Sequence, residues 1–275
     1  MSALRDLRRF AGQVARRLGH WSPSAIAHRR RVEKECRERV DEVRPRSLDD
    51  SPSFHDYLRA QIERSFPLAD AGKLQPPLAR TIFLTSLMAE HIPASDLHRS
   101  RVLCVGCRDG RELDALESLV VARADDDGGI GGGGIGGDEG IEGRVVGLDL
   151  FSSDPRIEVG DMHRMPFEDA AFDLLYSCHS LEHSYDLDKA LDEFSRVVRP
   201  GGFMMIEVPI QFVPSEADRQ DLGSVSALIE RLGDSVGEVL FREESSRWVR
   251  GIEKRNARLL LRTRSGSEAT GAKIP

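Results

Sequence analysis

The chain has 275 residues, 40% of them hydrophobic, and a formal net charge of −7, which is length and apolar content enough for one sizeable α/β core. No apolar run approaches the roughly 18 to 20 residues that a membrane-spanning helix needs, and four scattered cysteines, Cys36, Cys104, Cys107 and Cys178, make no disulfide framework. The charge is unevenly divided: residues 1–46 carry 13 Lys and Arg against 6 Asp and Glu, so the rest is strongly acidic and a nucleic-acid partner, which needs Lys and Arg against its phosphates, is not expected.

Residues 3–18 set Leu4, Leu7, Ala11, Val14 and Leu18 at helical spacing with arginines mostly on the other side, which predicts a basic amphipathic helix. Eight arginines against one acid up to Arg31 suit an organelle-targeting segment, a peripheral membrane contact or a helix packed on the domain. A cytoplasmic protein is the default, with residues 1–50 as a basic helical extension and 51–265 as the main domain. Helices are expected at 53–66 and 77–90, the second opening at Pro76-Pro77 and closing before Pro93.

An α/β pattern begins after them. Residues 101–105 predict a short buried strand ending in a turn at Gly106, and 111–121 a helix with Leu113, Leu116 and Val120 inward. Residues 125–143 are nearly all Gly, Asp, Glu and Ile, which buries too little apolar surface to offset ordering, so a disordered surface loop is expected. Strands follow at 145–148, 157–159, 172–177 and 203–208. A helix at 187–198 has Asp186 as its cap and Pro200-Gly201-Gly202 as its stop. A helix near 224–232, strands at 238–242 and 257–262 and a disordered tail at 266–275 complete the chain. The alternation predicts a Rossmann-like, doubly wound α/β fold: a mostly parallel sheet with an antiparallel C-terminal strand, plus an N-terminal helical extension with cap helices.

In such a sheet, ligands bind at the carboxyl ends of the strands, where the first strand passes through a glycine turn into a helix. Gly106 to Gly110 stands there, and glycine lets backbone approach a ligand while the helix start offers unpaired N–H groups. Asp149 lies 39 positions beyond Gly110, and removing the 19-residue loop leaves 20, the spacing at which a strand-end acid grips ribose hydroxyls. Arg108 occupies the place of the middle glycine that a dinucleotide turn needs. Asp161 can accept a hydrogen bond from an adenine amino group, with the Met162 N–H facing a ring nitrogen. Cys104 and Cys107 form C-x-x-C without a second pair or a nearby histidine, so no metal is expected and both are read as small buried residues.

The blocks 102–110, Gly147-Leu148-Asp149, Gly160-Asp161-Met162 with Met165-Pro166-Phe167, Phe172-Asp173, Ser180-Leu181-Glu182-His183 and Arg199-Pro200-Gly201-Gly202 resemble, in order and spacing, successive motifs of class I S-adenosylmethionine-dependent methyltransferases of the small-molecule, type 11-like kind. The resemblance spans roughly residues 75–265. It implies S-adenosylmethionine as cofactor, with Gly106, Cys107, Arg108 and Gly110 under its methionine part, Asp149 on the ribose, Leu150 beside the adenine and Asp161 with Met162 at the adenine edge. Two positions depart from the pattern. Cys104 replaces the acid usual in the first strand, so Asp109 or Glu112 substitutes or affinity is weakened; Arg108 replaces a glycine and either pairs with the cofactor carboxylate or fills the site.

Methyl transfer from a sulfonium needs alignment of the acceptor, and a base only where the acceptor must lose a proton. His183 and His179 are the candidate bases after the fourth strand, with Glu182 beside them. Ser177-Cys178-His179-Ser180 lacks the Asn-Pro-Pro-Tyr pattern associated with planar amino groups in DNA bases and glutamine. A small-molecule, lipid or sugar-linked acceptor is implied by the family alone. A catalytically weak methyltransferase-like scaffold and an NAD(P)-dependent oxidoreductase are the alternatives.

Overall fold

The computed structural model describes residues 23–44, 51–70, 78–98, 100–107, 110–125, 143–152, 154–249 and 251–266. The expected basic helix at 3–18, Arg108, nearly all of the Gly-rich loop and the tail after 266 lie outside them.

Two helices precede the sheet on the cofactor side: α1 (Pro23–Val43) and α2 (Pro52–Asp70). In α1, Val32, Cys36, Val40 and Val43 recur at three- and four-residue steps, making one narrow apolar stripe on an otherwise charged helix. That stripe packs on Phe54, Leu58 and Ile62 of α2 and reaches Leu150. Next, α3 (Leu78–His91) buries Leu84, Leu87 and Met88 and stops at Ile92-Pro93, before the one-turn α4 (Ala94–Leu97).

The α/β body runs β1 (Val102–Val105), α5 (Gly110–Asp125), β2 (Val145–Asp149), β3 (Ile157–Val159), β4 (Phe172–Cys178), α6 (Leu187–Val197), β5 (Val198–Ile210), α7 (Val225–Leu232), β6 (Val236–Val249) and β7 (Ile252–Thr263). The seven strands form one sheet in the order β3-β2-β1-β4-β5-β7-β6. β1 to β5 are parallel, and β7 runs antiparallel between β5 and β6, as the alternation of elements predicts.

Helices cover both faces, which is why the inner strands are apolar at successive residues. Leu103 and Val105 face α6 and α7, through Leu191, Phe194 and Leu228. Val102 and Cys104 face α3 and α5, through Met88, Leu113 and Leu116. Local signals fix the helix starts: Asp186 accepts the Lys189 N–H at 3.1 Å, and Ser224 accepts the Ala227 N–H at 3.1 Å. Among the described residues no helix is long and apolar enough to cross a membrane.

Two elements depart from the expected bounds. β5 begins at Val198, five residues before the expected 203, because α6 passes directly into it through Val198 in an extended conformation. The β6–β7 hairpin spans 236–249 and 252–263, far beyond 238–242 and 257–262, since pairing continues to Val249 opposite Ile252. Its outer half is exposed and mixed in polarity, so it carries no alternating apolar pattern to read.

Candidate active site

The strand order reverses between β1 and β4, and there the carboxyl ends of the strands leave a crevice. Gly106 turns the chain out of β1 at φ +79, and a Cβ on it would stand 2.4 Å from Ser180 Cβ, so the turn can close against Ser180 only as glycine. Asp149 and Leu150 come from the end of β2, and Gly160, Asp161 and Met162 from the end of β3. All line the same crevice, with Tyr57 and Gln61 of α2 as its roof.

The roof is held by aromatic packing. Tyr57, Phe54 and Tyr185 have ring centroids 5.1 to 5.4 Å apart, the Arg219 guanidinium lies over Tyr57 and Tyr185, and Gln61 donates to the Ala217 carbonyl at 3.0 Å. The enclosed space is therefore narrow, about 50 Å³. Past Gly106, His179 and His183 it opens into a cleft of about 790 Å³.

Cys107 and the buried Glu112, from the first turn of α5, line the inner part of that cleft. Cys104 and Cys107 hydrogen-bond to each other, and burial holds the Cys104 thiol far above its ordinary range. Gly110 lines neither space: a Cβ on it would collide with Asp154 and Arg156, whose ion pair covers the start of α5. Asp161 lines the crevice, with Oδ1 occupied by the N–H of His163 at 3.1 Å and by His163 Nδ1 at 2.5 Å.

The two candidate bases have opposite environments. His179 sits just after β4 at φ +54, a conformation that costs a non-glycine residue strain and recurs at functional sites. Its Nδ1 lies 3.3 Å from Glu182 and its Nε2 3.2 Å from Glu207. Burial opposes charge on His179, but the two carboxylates outweigh it and raise the pKa. The charged form of His179 is thus favoured relative to a free imidazole, which weakens it as a proton acceptor.

His183 directs Nδ1 to the Ala217 carbonyl at 2.9 Å, with Asp218 at 3.2 Å. A carbonyl only accepts, so Nδ1 carries the proton and Nε2 is the basic atom of the neutral ring. The hydrogen bond from His183, with Arg64 beside it, holds Asp218 well below the usual carboxylate range. Between the rings, Glu182 is 3% exposed, and its Oε2 has no hydrogen-bond partner among the described residues.

Glu207, in the middle of the apolar run of β5, is fully buried. Burial alone would raise its pKa, but His179, Arg258 and Arg80 lower it to about 2. Arg80 of α3 is 2.9 Å from it and Arg258 of β7 2.5 Å, and Arg258 also holds Glu243. A lone acid in a buried strand signals a functional position, and that signal was readable at Glu207. Nothing in the local sequence of Arg80, Tyr57 or Gln61 announces its place, which long-range packing decides.

Residues 141–206 match the model of a methyltransferase domain. Among solved structures, that of the 1,6-didemethyltoxoflavin N1-methyltransferase of Burkholderia thailandensis, bound to 1,6-didemethyltoxoflavin and S-adenosylhomocysteine, aligns at TM-score 0.55 and 14% identity over 80% of this chain and 93% of that one, a likeness of fold. Malonyl-[acyl-carrier protein] O-methyltransferase 1 of Coxiella burnetii is 36% identical over 66 residues, 22% of this chain and 23% of that protein. A probable S-adenosylmethionine-dependent methyltransferase of Mycolicibacterium smegmatis is 31% identical over 83 residues, 26% and 32% of the two chains. The chain spans less than a third of the length of these curated relatives.

Proposed function

We propose that this chain, which has the Rossmann-like fold of class I S-adenosylmethionine-dependent methyltransferases, binds that cofactor in the crevice and transfers its methyl group to a small-molecule acceptor in the adjoining cleft. The observation that carries the reading is convergence: Gly106, Asp149 and Asp161, from three separate strand ends, meet in one crevice that opens into a larger cleft.

The residues present fit the cofactor's chemistry. Asp149 would offer its carboxylate to the ribose hydroxyls, Leu150 would lie beside the adenine, and the Asp161 carboxylate, one oxygen taken by His163, and the Met162 N–H would meet the adenine edge. Glu112, a buried acid beside Gly106 and Cys107, takes over from the acid missing at Cys104 as the counter-charge of the methionine ammonium. Arg108 lies outside the described residues, and its role follows from the resemblance alone.

When bound, the cofactor supplies an activated methyl group, so the protein has to align the acceptor and exclude water. Where the acceptor must lose a proton, His183 Nε2 takes it, because Ala217 and Asp218 fix the ring with Nδ1 protonated. His179, set between Glu182 and Glu207, positions these carboxylates and is the weaker candidate for the base.

Calorimetric titration tests the assignment. Heat with S-adenosylhomocysteine and none with NAD supports it. Silence with both favours the scaffold reading, to which Cys104 points, and tight NAD binding overturns it.

A further inference from the structure

The outer half of the β6–β7 hairpin forms one wall of the cleft. β5 pairs with β7 only as far as Ile210 opposite Arg255; beyond that the hairpin pairs with itself, Arg247 opposite Lys254 and Val249 opposite Ile252. It therefore projects past the carboxyl edge of the sheet, above the acceptor side. Cross-strand partners share a face and successive pairs alternate. The face that includes Glu243 and Arg258 is the cleft face, since Arg258 reaches in to Glu207.

Outward along that face the pairs are Glu243 with Arg258, Ser245 with Asn256, Arg247 with Lys254, and Val249 with Ile252. The third is two cations directly opposite one another, an arrangement that destabilises a strand pair. Neither has an acidic partner among the described residues, whereas Arg255, which also lines the cleft, is paired with Glu253 at 3.2 Å. Of the other acids that line the cleft, Asp218 is engaged by His183 and Arg64, and Glu182 lies against His179. Beside the cations the wall is apolar and open, with Ile252 58% and Val213 90% exposed.

We propose that the methyl acceptor is an amphipathic anion, its carboxylate or phosphate bridging Arg247 and Lys254 and its apolar part lying along Val249, Ile252 and Val213. The anion relieves the repulsion between the two cations, and the apolar part covers side chains otherwise left to water. This inference rests on the methyltransferase reading for the meaning of the cleft. The same chemistry is offered by a free metabolite and by an anionic lipid headgroup.

Ligand-detected NMR on the full chain compares decanoate, below its micellar concentration, with neutral decanol and cationic decyltrimethylammonium. In a second arm, co-sedimentation compares phosphatidylglycerol with phosphatidylcholine vesicles. Decanoate binding at least tenfold tighter than either counterpart, and weakened at least tenfold in Arg247→Glu/Lys254→Glu, supports the proposal with a free acceptor. Binding only to phosphatidylglycerol vesicles, lost in the same variant, supports it with a lipid acceptor. Absence of charge preference in both arms, or a variant that binds like the parent, overturns it. S-adenosylhomocysteine affinity serves as the fold control, with Arg247→Gln/Lys254→Gln as the milder replacement. Anion preference in a protein that binds no S-adenosylhomocysteine would overturn the cofactor assignment and with it the acceptor role, while the anion site itself would stand.

Discussion

His179 and Glu207 are joined twice across the carboxyl ends of β4 and β5: the His179 N–H donates to the Glu207 carbonyl at 2.8 Å, and the imidazole meets the carboxylate at 3.2 Å. Backbone and side chain together pin the left-handed residue after β4, and Arg80 and Arg258 supply the remaining charge. Replacing Glu207 by Gln leaves these cations around a neutral group and costs about 3 kcal/mol, the low end for breaking a buried ion pair, because both arginines reach solvent. Urea unfolding of parent and variant measures it, and a loss under about 1 kcal/mol would show that the cluster is not structurally coupled.

The cost should depend on pH in a definite direction. The Glu207 pKa is lowered from 4.5 to about 2, so its contribution is full above pH 4.5 and is lost as pH falls toward 2. The His179 pKa is raised from 6.5, so its contribution is full below pH 6.5 and fades as pH rises through the folded value. Both act together between pH 4.5 and 6.5, where the Glu207→Gln penalty should be greatest. It should shrink steadily below pH 4.5, nearly vanish only at about pH 2 and below, and fall only partly at alkaline pH, where Arg80 and Arg258 still require the carboxylate. A penalty that grows in acid would contradict the assigned direction.

Asp149→Ala should weaken S-adenosylhomocysteine binding by about 1 to 3 kcal/mol, the range for charge-assisted hydrogen bonds lost with one carboxylate. Asp149 is half-buried at the crevice lip, so unfolding should change much less. Calorimetry alongside thermal denaturation separates the two effects. Unchanged affinity would remove Asp149 from the ribose position.

Gly106→Ala should cost about 3 kcal/mol, because the new Cβ meets Ser180 Cβ at 2.4 Å and φ is +79. Adding Ser180→Gly opens the space without relieving the backbone, so the double variant should recover only part of the loss. Full recovery would mean that backbone conformation contributes nothing, and no recovery that the contact with Ser180 is irrelevant.

The inner strands and their mostly parallel pairing were legible because such strands are apolar on both faces and alternate with helices. Asp149, by its spacing from Gly110 once the insertion is removed, and Asp161, by its place after the third strand, were readable as strand-end acids, and both line the crevice. The partners of His179 and His183 were not, since Glu207 lies 28 positions beyond His179 and Ala217 and Asp218 belong to a loop. Nor was the packing of Gly110 beneath Asp154 and Arg156, which come from the turn before β3. The hairpin was underestimated because an exposed edge needs no alternation to keep its register once a tight turn sets it.

Helix α2 carries the last prediction. Pockets that hold a ligand of drug-like size span roughly 300 to 1,000 Å³, and the crevice beneath Tyr57 and Gln61 measures about 50 Å³. The polar groups fit an adenosine, so its entry requires this roof to lift. Contacts of Tyr57 with Tyr185 and His163, at 5.4 and 5.9 Å between ring centroids, together hold the roof by about 2 kcal/mol. Tyr57→Ala should therefore open it roughly 30-fold more often, at about 1.4 kcal/mol for each factor of ten. Stopped-flow measurement should find S-adenosylhomocysteine association faster by up to that factor, with dissociation accelerated as well. Association at the parental rate would show that α2 does not gate the crevice, and slower association that Tyr57 guides the ligand in rather than covering its site.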